Sequence, residues 1–141
     1  MIKIPLDKKG FTLSELLLSV AMLSVAIPTV LLVFISAVVL NESNSNLCIA
    51  TGHAQYILEE IWDELNAGGF DSVSTKIDNG EWDWDSNDIY AKGLSALNGE
   101  SIDTQASSGG TDLLDIVVTV NWLDRAARTR STYLETYLAR Q

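Results

Sequence analysis

The chain has 141 residues, room for one small domain and a helix, with 19 acidic side chains against 9 basic ones. An acidic surface of this kind argues against a nucleic-acid partner, whose phosphates select Lys and Arg. The single cysteine, Cys48, excludes an intramolecular disulfide and a cysteine-cluster metal site, and reads as a small packing residue.

The N-terminus carries the strongest pattern. The basic pair Lys8-Lys9 meets Gly10, then Phe11-Thr12-Leu13-Ser14-Glu15 opens an apolar run. From Leu16 to Leu40 there are 25 consecutive uncharged residues, more than the ~20 that an α-helix needs to cross a bilayer core. A secretory signal has an apolar core of only about 7–15 residues, so this run reads as a membrane span. Basic residues before it and an acidic chain after it fit the positive-inside rule, with the leader cytoplasmic and the rest outside. Glu15 is the anomaly, because a carboxylate just inside a membrane helix is costly and marks a functional position. Thr12-x-x-Glu15 is also a capping-box pattern, in which Glu15 satisfies donors at the helix start. Pro28 lacks the N–H that would bond the Ser24 carbonyl, which predicts a kink or a short melted section.

Gly10, Phe11, Thr12, Leu13 and Glu15, followed by the long apolar helix, resemble the N-terminal segment of type IV prepilins and type II secretion pseudopilins. The resemblance implies cleavage between Gly10 and Phe11 by a prepilin peptidase, which also N-methylates Phe11. It implies that Glu15 guides subunit assembly, its carboxylate facing the new α-amino group of a neighbouring subunit. Many family members carry a proline that aligns with Leu32; here Pro28 stands one turn earlier. The implied partners are other pilin or pseudopilin subunits, the processing enzyme and the inner membrane. The implied location is a single-pass inner-membrane protein with its head outside the cytoplasm, then a periplasmic or extracellular filament. No cofactor is implied. Removing the first ten residues, with Asp7, Lys3, Lys8 and Lys9, leaves 18 acidic against 6 basic side chains, a balance of −12.

The domain plan is a leader over 1–10, a membrane or filament-core helix over 11–40, an amphipathic helix over 41–66 and a small head over 67–141. The polar run 41–46 suits either a loop or a helix start. Beyond it Leu47, Ala50, Ala54, Ile57, Leu58, Ile61 and Leu65 recur at three- and four-residue spacing, and Ala67-Gly68-Gly69 ends the helix. If continuous, ~55 residues at 1.5 Å each make a rod of roughly 80 Å. The next tract is rich in Gly, Asn, Asp and Ser. A third strand is expected between Trp82 and Leu94, and Asn98–Thr111 reads as an exposed loop. Leu114, Ile116, Val118, Val120 and Trp122 then alternate with mostly polar residues, Asp124–Ala127 suits a turn, and Thr129–Leu138 alternates again: a terminal antiparallel hairpin. The fold class is α+β, one long helix packed by its second half on a small antiparallel sheet. This ending is similar to that of minor pilins and I-type minor pseudopilins.

Two other signals bear on function. Asp83, Asp85 and Asn87 have the alternating spacing of a calcium loop, but Asp88 stands where an EF-hand needs glycine and Leu94 where it needs glutamate. An acidic Trp-containing loop that binds Ca²⁺ or another ligand is therefore the second reading, that of a membrane-anchored binding module. Trp82 and Trp84 are expected in the core. His53 has no histidine partner, and no nucleophile elbow or phosphate loop accompanies it, so no enzyme is expected.

Overall fold

The computed structural model describes residues 12–108 and 113–140. Helix α1 spans Leu13–Gly68, 56 residues with Pro28 inside it. The helix runs unbroken through Pro28, so the short melted section expected there is absent. It also runs unbroken through the polar residues 41–46, which settles that stretch as helix interior. Short hydroxyl side chains in the apolar half satisfy their own donors by bonding back to the helix: Ser19 to Glu15 O, Thr29 to Val25 O and Ser36 to Leu32 O.

The chain divides into two compact units, one up to Asn41 and one from Glu42 onward. In the second unit α1 buries Ala50, Ala54, Ile57 and Ile61, four of the seven stripe positions read from the spacing. Leu58 and Leu65 pack at the edge of this core. Leu47 departs from the expectation and is exposed, because the packed face turns away from it. The helix stops where glycines are needed. A Cβ on Gly68 would come 2.5 Å from Glu64 Oε1 and 2.8 Å from Ser72 Oγ. Gly69 then adopts φ 79°, a left-handed conformation that side chains disfavour.

Two short helices follow that the sequence analysis did not anticipate. Helix α2, Phe70–Asp78, buries Val73 and Ile77. It is tied to α1 by Lys76 Nζ, 2.7 Å from Glu64 Oε2, and by the Ser72 hydroxyl donating to Glu64 Oε1. These partners hold the Glu64 carboxyl below the ordinary glutamate range and the Lys76 amine above its own. After the two-residue strand β1, Trp84–Asp85, comes helix α3, Ser86–Ala91. Asp85 caps it, accepting the N–H groups of Asn87 and Asp88 at 2.7 and 3.1 Å, while Asp88 accepts the N–H of Asp85 at 3.0 Å.

The sheet has four strands in the order β1-β2-β3-β4, all neighbours antiparallel. Strand β2 is Ser101–Ser108, β3 is Leu113–Leu123 and β4 is Thr129–Ala139. The expected hairpin is present as β3 and β4, in register from Leu113↔Ala139 to Leu123↔Thr129. The third strand is not where it was expected. Only Trp84 and Asp85 between Trp82 and Leu94 are strand, and the full third strand, β2, lies in the polar tract read as an exposed loop. Pairing explains it, since Ser101 to Ser108 match Asn121 to Leu114 residue for residue. The inward face of β3, Leu114, Ile116, Val118, Val120 and Trp122, is buried against α1, α2 and both tryptophans of the acidic tract. The α+β class and its long-helix-on-sheet layout hold.

Candidate functional site

The residues singled out from sequence lie along α1. Gly10 and Phe11, the cleavage and methylation positions, fall outside the described residues. The helix start just beyond them is well formed. Thr12 stands at the N-cap, and its backbone N–H donates to Glu15 Oε2 at 3.0 Å. Its hydroxyl donates to the same oxygen at 2.9 Å. The Glu15 N–H approaches Thr12 Oγ1 at 3.4 Å, closing a reciprocal capping box. The box needs a hydroxyl and a carboxylate three residues apart, and Thr12 and Glu15 meet that requirement. Within a single chain, then, Glu15 is engaged by its own helix start and remains exposed to solvent.

From Leu16 to Leu40 every side chain is exposed. Leu13, Leu17, Val25, Val30 and Phe34 are each more than 60% exposed. One helix near the N-terminus is therefore long and apolar enough to cross a membrane, and none of that apolar stretch is buried within the chain. Apolar surface gains about 25 cal/mol for each Å² removed from water. A helix apolar on all sides consequently requires an apolar surrounding, either lipid or other helices. Pro28 sits in the middle of this surface. It is separated from Glu15 by more than three helical turns, so the two act independently.

Comparison with protein families, curated proteins and solved structures finds no match. The functional reading therefore rests on the residues themselves.

The acidic tract of the head has internal employment. Asp83 Oδ1 accepts the Thr104 N–H at 2.8 Å, which fixes the tract against β2. Asp85 and Asp88 form the α3 capping box. Backbone bonds from Asp88 and Asn87 are the chief reasons that the Asp85 carboxyl lies below its ordinary range. Among the described residues no three His, Cys, Asp or Glu side chains form a group able to hold a metal ion. Trp82 and Trp84 are buried, as expected from core packing.

Two features escaped the sequence reading. His53 has an acidic partner 47 residues away: its Nδ1 lies 2.7 Å from Glu100 Oε1, and both side chains are buried. Glu100 Oε2 also accepts the Leu97 N–H at 2.6 Å, so this pair ties α1 to the segment entering β2. Nothing local foretells such a long-range pairing, since Glu100 lies in the tract that looked like a loop. The second feature is the bonding network inside the expected turn between β3 and β4. Asp124 Oδ1 accepts the N–H groups of Ala126 and Arg128 at 2.9 and 3.0 Å. Its Oδ2 takes the Arg128 and Arg130 guanidiniums at 2.9 and 3.3 Å. Held first by the Arg128 N–H, and then by the Arg128 side chain and the Ala126 N–H, the Asp124 carboxyl is lowered to about 2.

Proposed function

We propose that this chain is a structural subunit, of the minor kind, of a type IV pilus or type II secretion pseudopilus. In this reading a membrane peptidase cuts between Gly10 and Phe11 and methylates Phe11. The apolar half of α1 sits in the inner membrane with the head outside the cytoplasm, and then packs in the core of a filament. The chain has no catalytic role of its own, and its partners are other pilin or pseudopilin subunits.

The observation that carries the proposal is a single carboxylate, Glu15, at the head of a helix that is otherwise uncharged and exposed on all sides through Leu40. A charge in an apolar medium is strongly penalised unless it is paired. An α-amino group created at Phe11 supplies the opposite charge, and a neighbouring subunit docks in the register that brings the two together. The capping box keeps the carboxylate at the helix end, where that partner arrives.

The decisive experiment is the N-terminal mass of the protein taken from its native membrane. A chain beginning with N-methylated Phe11 is the expected result. A chain retaining Met1, with the processing enzyme present, would overturn the proposal.

A further inference from the structure

Strand β4 forms one side of the sheet, and among the described residues no further strand lies beyond it. It pairs with β3 along its whole length of 11 residues in unbroken register. Its outer edge therefore presents a regular row of backbone N–H and C=O groups, a template for another extended chain. Proteins commonly blunt such an edge with lysine, proline or a bulge, and β4 has none of the three. The arginines at its two ends, Arg130 and Arg140, are already engaged by Asp124 and Asp71.

The outward face of the sheet beside this edge is both aromatic and anionic. Alternate residues of a strand share a face, so Tyr133, Glu135 and Tyr137 stand in a row on β4. The two tyrosines are 65% and 57% exposed. Opposite them on β3 stand Thr119, Val117 and Asp115. This face has three carboxylates, Asp103, Asp115 and Glu135, and no lysine or arginine among the described residues. The Tyr137 hydroxyl donates to Glu135. That bond, with the charges of Asp115 and Glu135, raises the phenol above its ordinary range. Asp103 accepts Gln105 Nε2 at 2.6 Å. Asp115 differs from both. Its Oδ1 is buried and has no hydrogen-bond partner among the described residues. A carboxylate oxygen shielded from water is costly without a donor, and here it lies directly across from Tyr137, next to an open strand edge.

We propose that the free edge of β4 and the outward face beside it dock an extended basic segment of a partner protein, which adds as a fifth strand and lays arginine or lysine side chains over Tyr133, Glu135, Tyr137 and Asp115. Charge complementarity selects this occupant. A guanidinium or ammonium over a tyrosine ring is attracted by the ring's negative face. Glu135 and Asp115 are diagonal neighbours on adjacent strands, about 7–8 Å apart, so one long basic side chain can serve both. The main-chain ladder supplies affinity, and the alternate side chains supply register. A second copy of this chain is the poorer occupant. Antiparallel pairing of two β4 edges about Glu135 would set like charges opposite each other, and two heads of this acidity repel. The inference concerns the head alone and does not rest on the membrane reading of α1.

The test uses the full chain in micelles of an uncharged detergent. The probe is a short peptide of alternating arginine and threonine, capped at both ends and labelled with a neutral dye, and binding is read by fluorescence anisotropy. The peptide should bind, and its affinity should fall about fivefold with Glu135→Gln or Asp115→Asn. Tyr133→Leu, which removes a cation-binding ring, should weaken it about threefold. Glu59→Gln removes the same charge from an exposed position on α1 and should change nothing. The same peptide with its backbone amides N-methylated keeps every charge but cannot donate to a ladder, and it should bind about tenfold more weakly. This last comparison uses the unmodified chain, so it stands even if a variant fails to fold. No binding below about 1 mM overturns the proposal. So does a loss with Glu59→Gln equal to that with Glu135→Gln, which would mean general attraction to an acidic head. Equal affinity of the N-methylated peptide would remove the strand edge from the contact and overturn it too. Self-association of the chain that disappears with Tyr133→Leu would assign the face to a second copy, the third result against it.

Discussion

The capping bonds of Glu15 and the assembly role proposed for it are separated by a conservative substitution. Glutamine occupies the same capping position as glutamate but carries no charge. Glu15→Gln should therefore leave the helix start intact by circular dichroism of the full chain in micelles, yet fail to enter filaments in an assembly assay. Normal assembly of this variant would assign Glu15 to capping alone. Asp124 makes a different prediction, about acid. Its folded carboxyl is lowered to about 2, against an ordinary value of about 3.9. The stabilisation it contributes is therefore fully present above about pH 4 and is lost as pH falls towards 2. Asp124→Asn has no such dependence at this position, so the difference in thermal midpoint between wild type and variant should narrow across that window. A constant difference would show that the turn does not discriminate between the charged and neutral acid. Glu100→Ala would leave His53 Nδ1 and the Leu97 N–H without their acceptor. The buried His53 orphan alone costs about 1–3 kcal/mol, readable by urea unfolding followed through tryptophan fluorescence. His53 was visible in the sequence only as an isolated residue, since its partner is brought to it by the tertiary fold.

The legibility of each element followed how far its own residues determine it. Strand β3 was readable because five inward apolar positions alternate without interruption, and β4 followed from its matching alternation across a polar turn. The long helix was readable because its apolar run, and then its three- and four-residue stripe, admit no other regular structure. Strand β2 was not, because its inward face has only Ile102, Thr104 and Ala106, too few to outweigh serines and a following Gly-Gly pair. Its strand character comes from the ladder offered by β3, a tertiary cause. Helices α2 and α3 were hidden by the turn-forming residues around them, although Phe70, Val73 and Ile77 have helical spacing and Asp85-x-x-Asp88 is a capping box. The packed face of α1 gives the test at this scale. Ile57 is wholly buried, and Ile57→Ala should cost about 2–5 kcal/mol. Gln55→Ala, on the exposed side, should stay within about 0.5 kcal/mol of wild type. Equal effects in urea unfolding would mean that α1 does not pack on the sheet through this face.

At the scale of the whole molecule the chain combines an apolar helix half that none of the described residues covers with an acidic head that has its own core. The protein should remain with membranes from native cells through an alkaline carbonate wash and be released by detergent. Release by carbonate alone would contradict a spanning helix. The order of the sheet bears on how such a head is made. Strands β1, β2, β3 and β4 lie side by side in the order in which they occur along the chain. Each strand can therefore be laid against the one before it as it arrives, and none has to be threaded between two others. A head delivered across a membrane piecemeal, N-terminal residues leading, could close by zippering in the order of its emergence. Adjacent pairing also keeps loop-closure costs small. The surface open until last would be the outer edge of β3, where the ladder with β4 has yet to form.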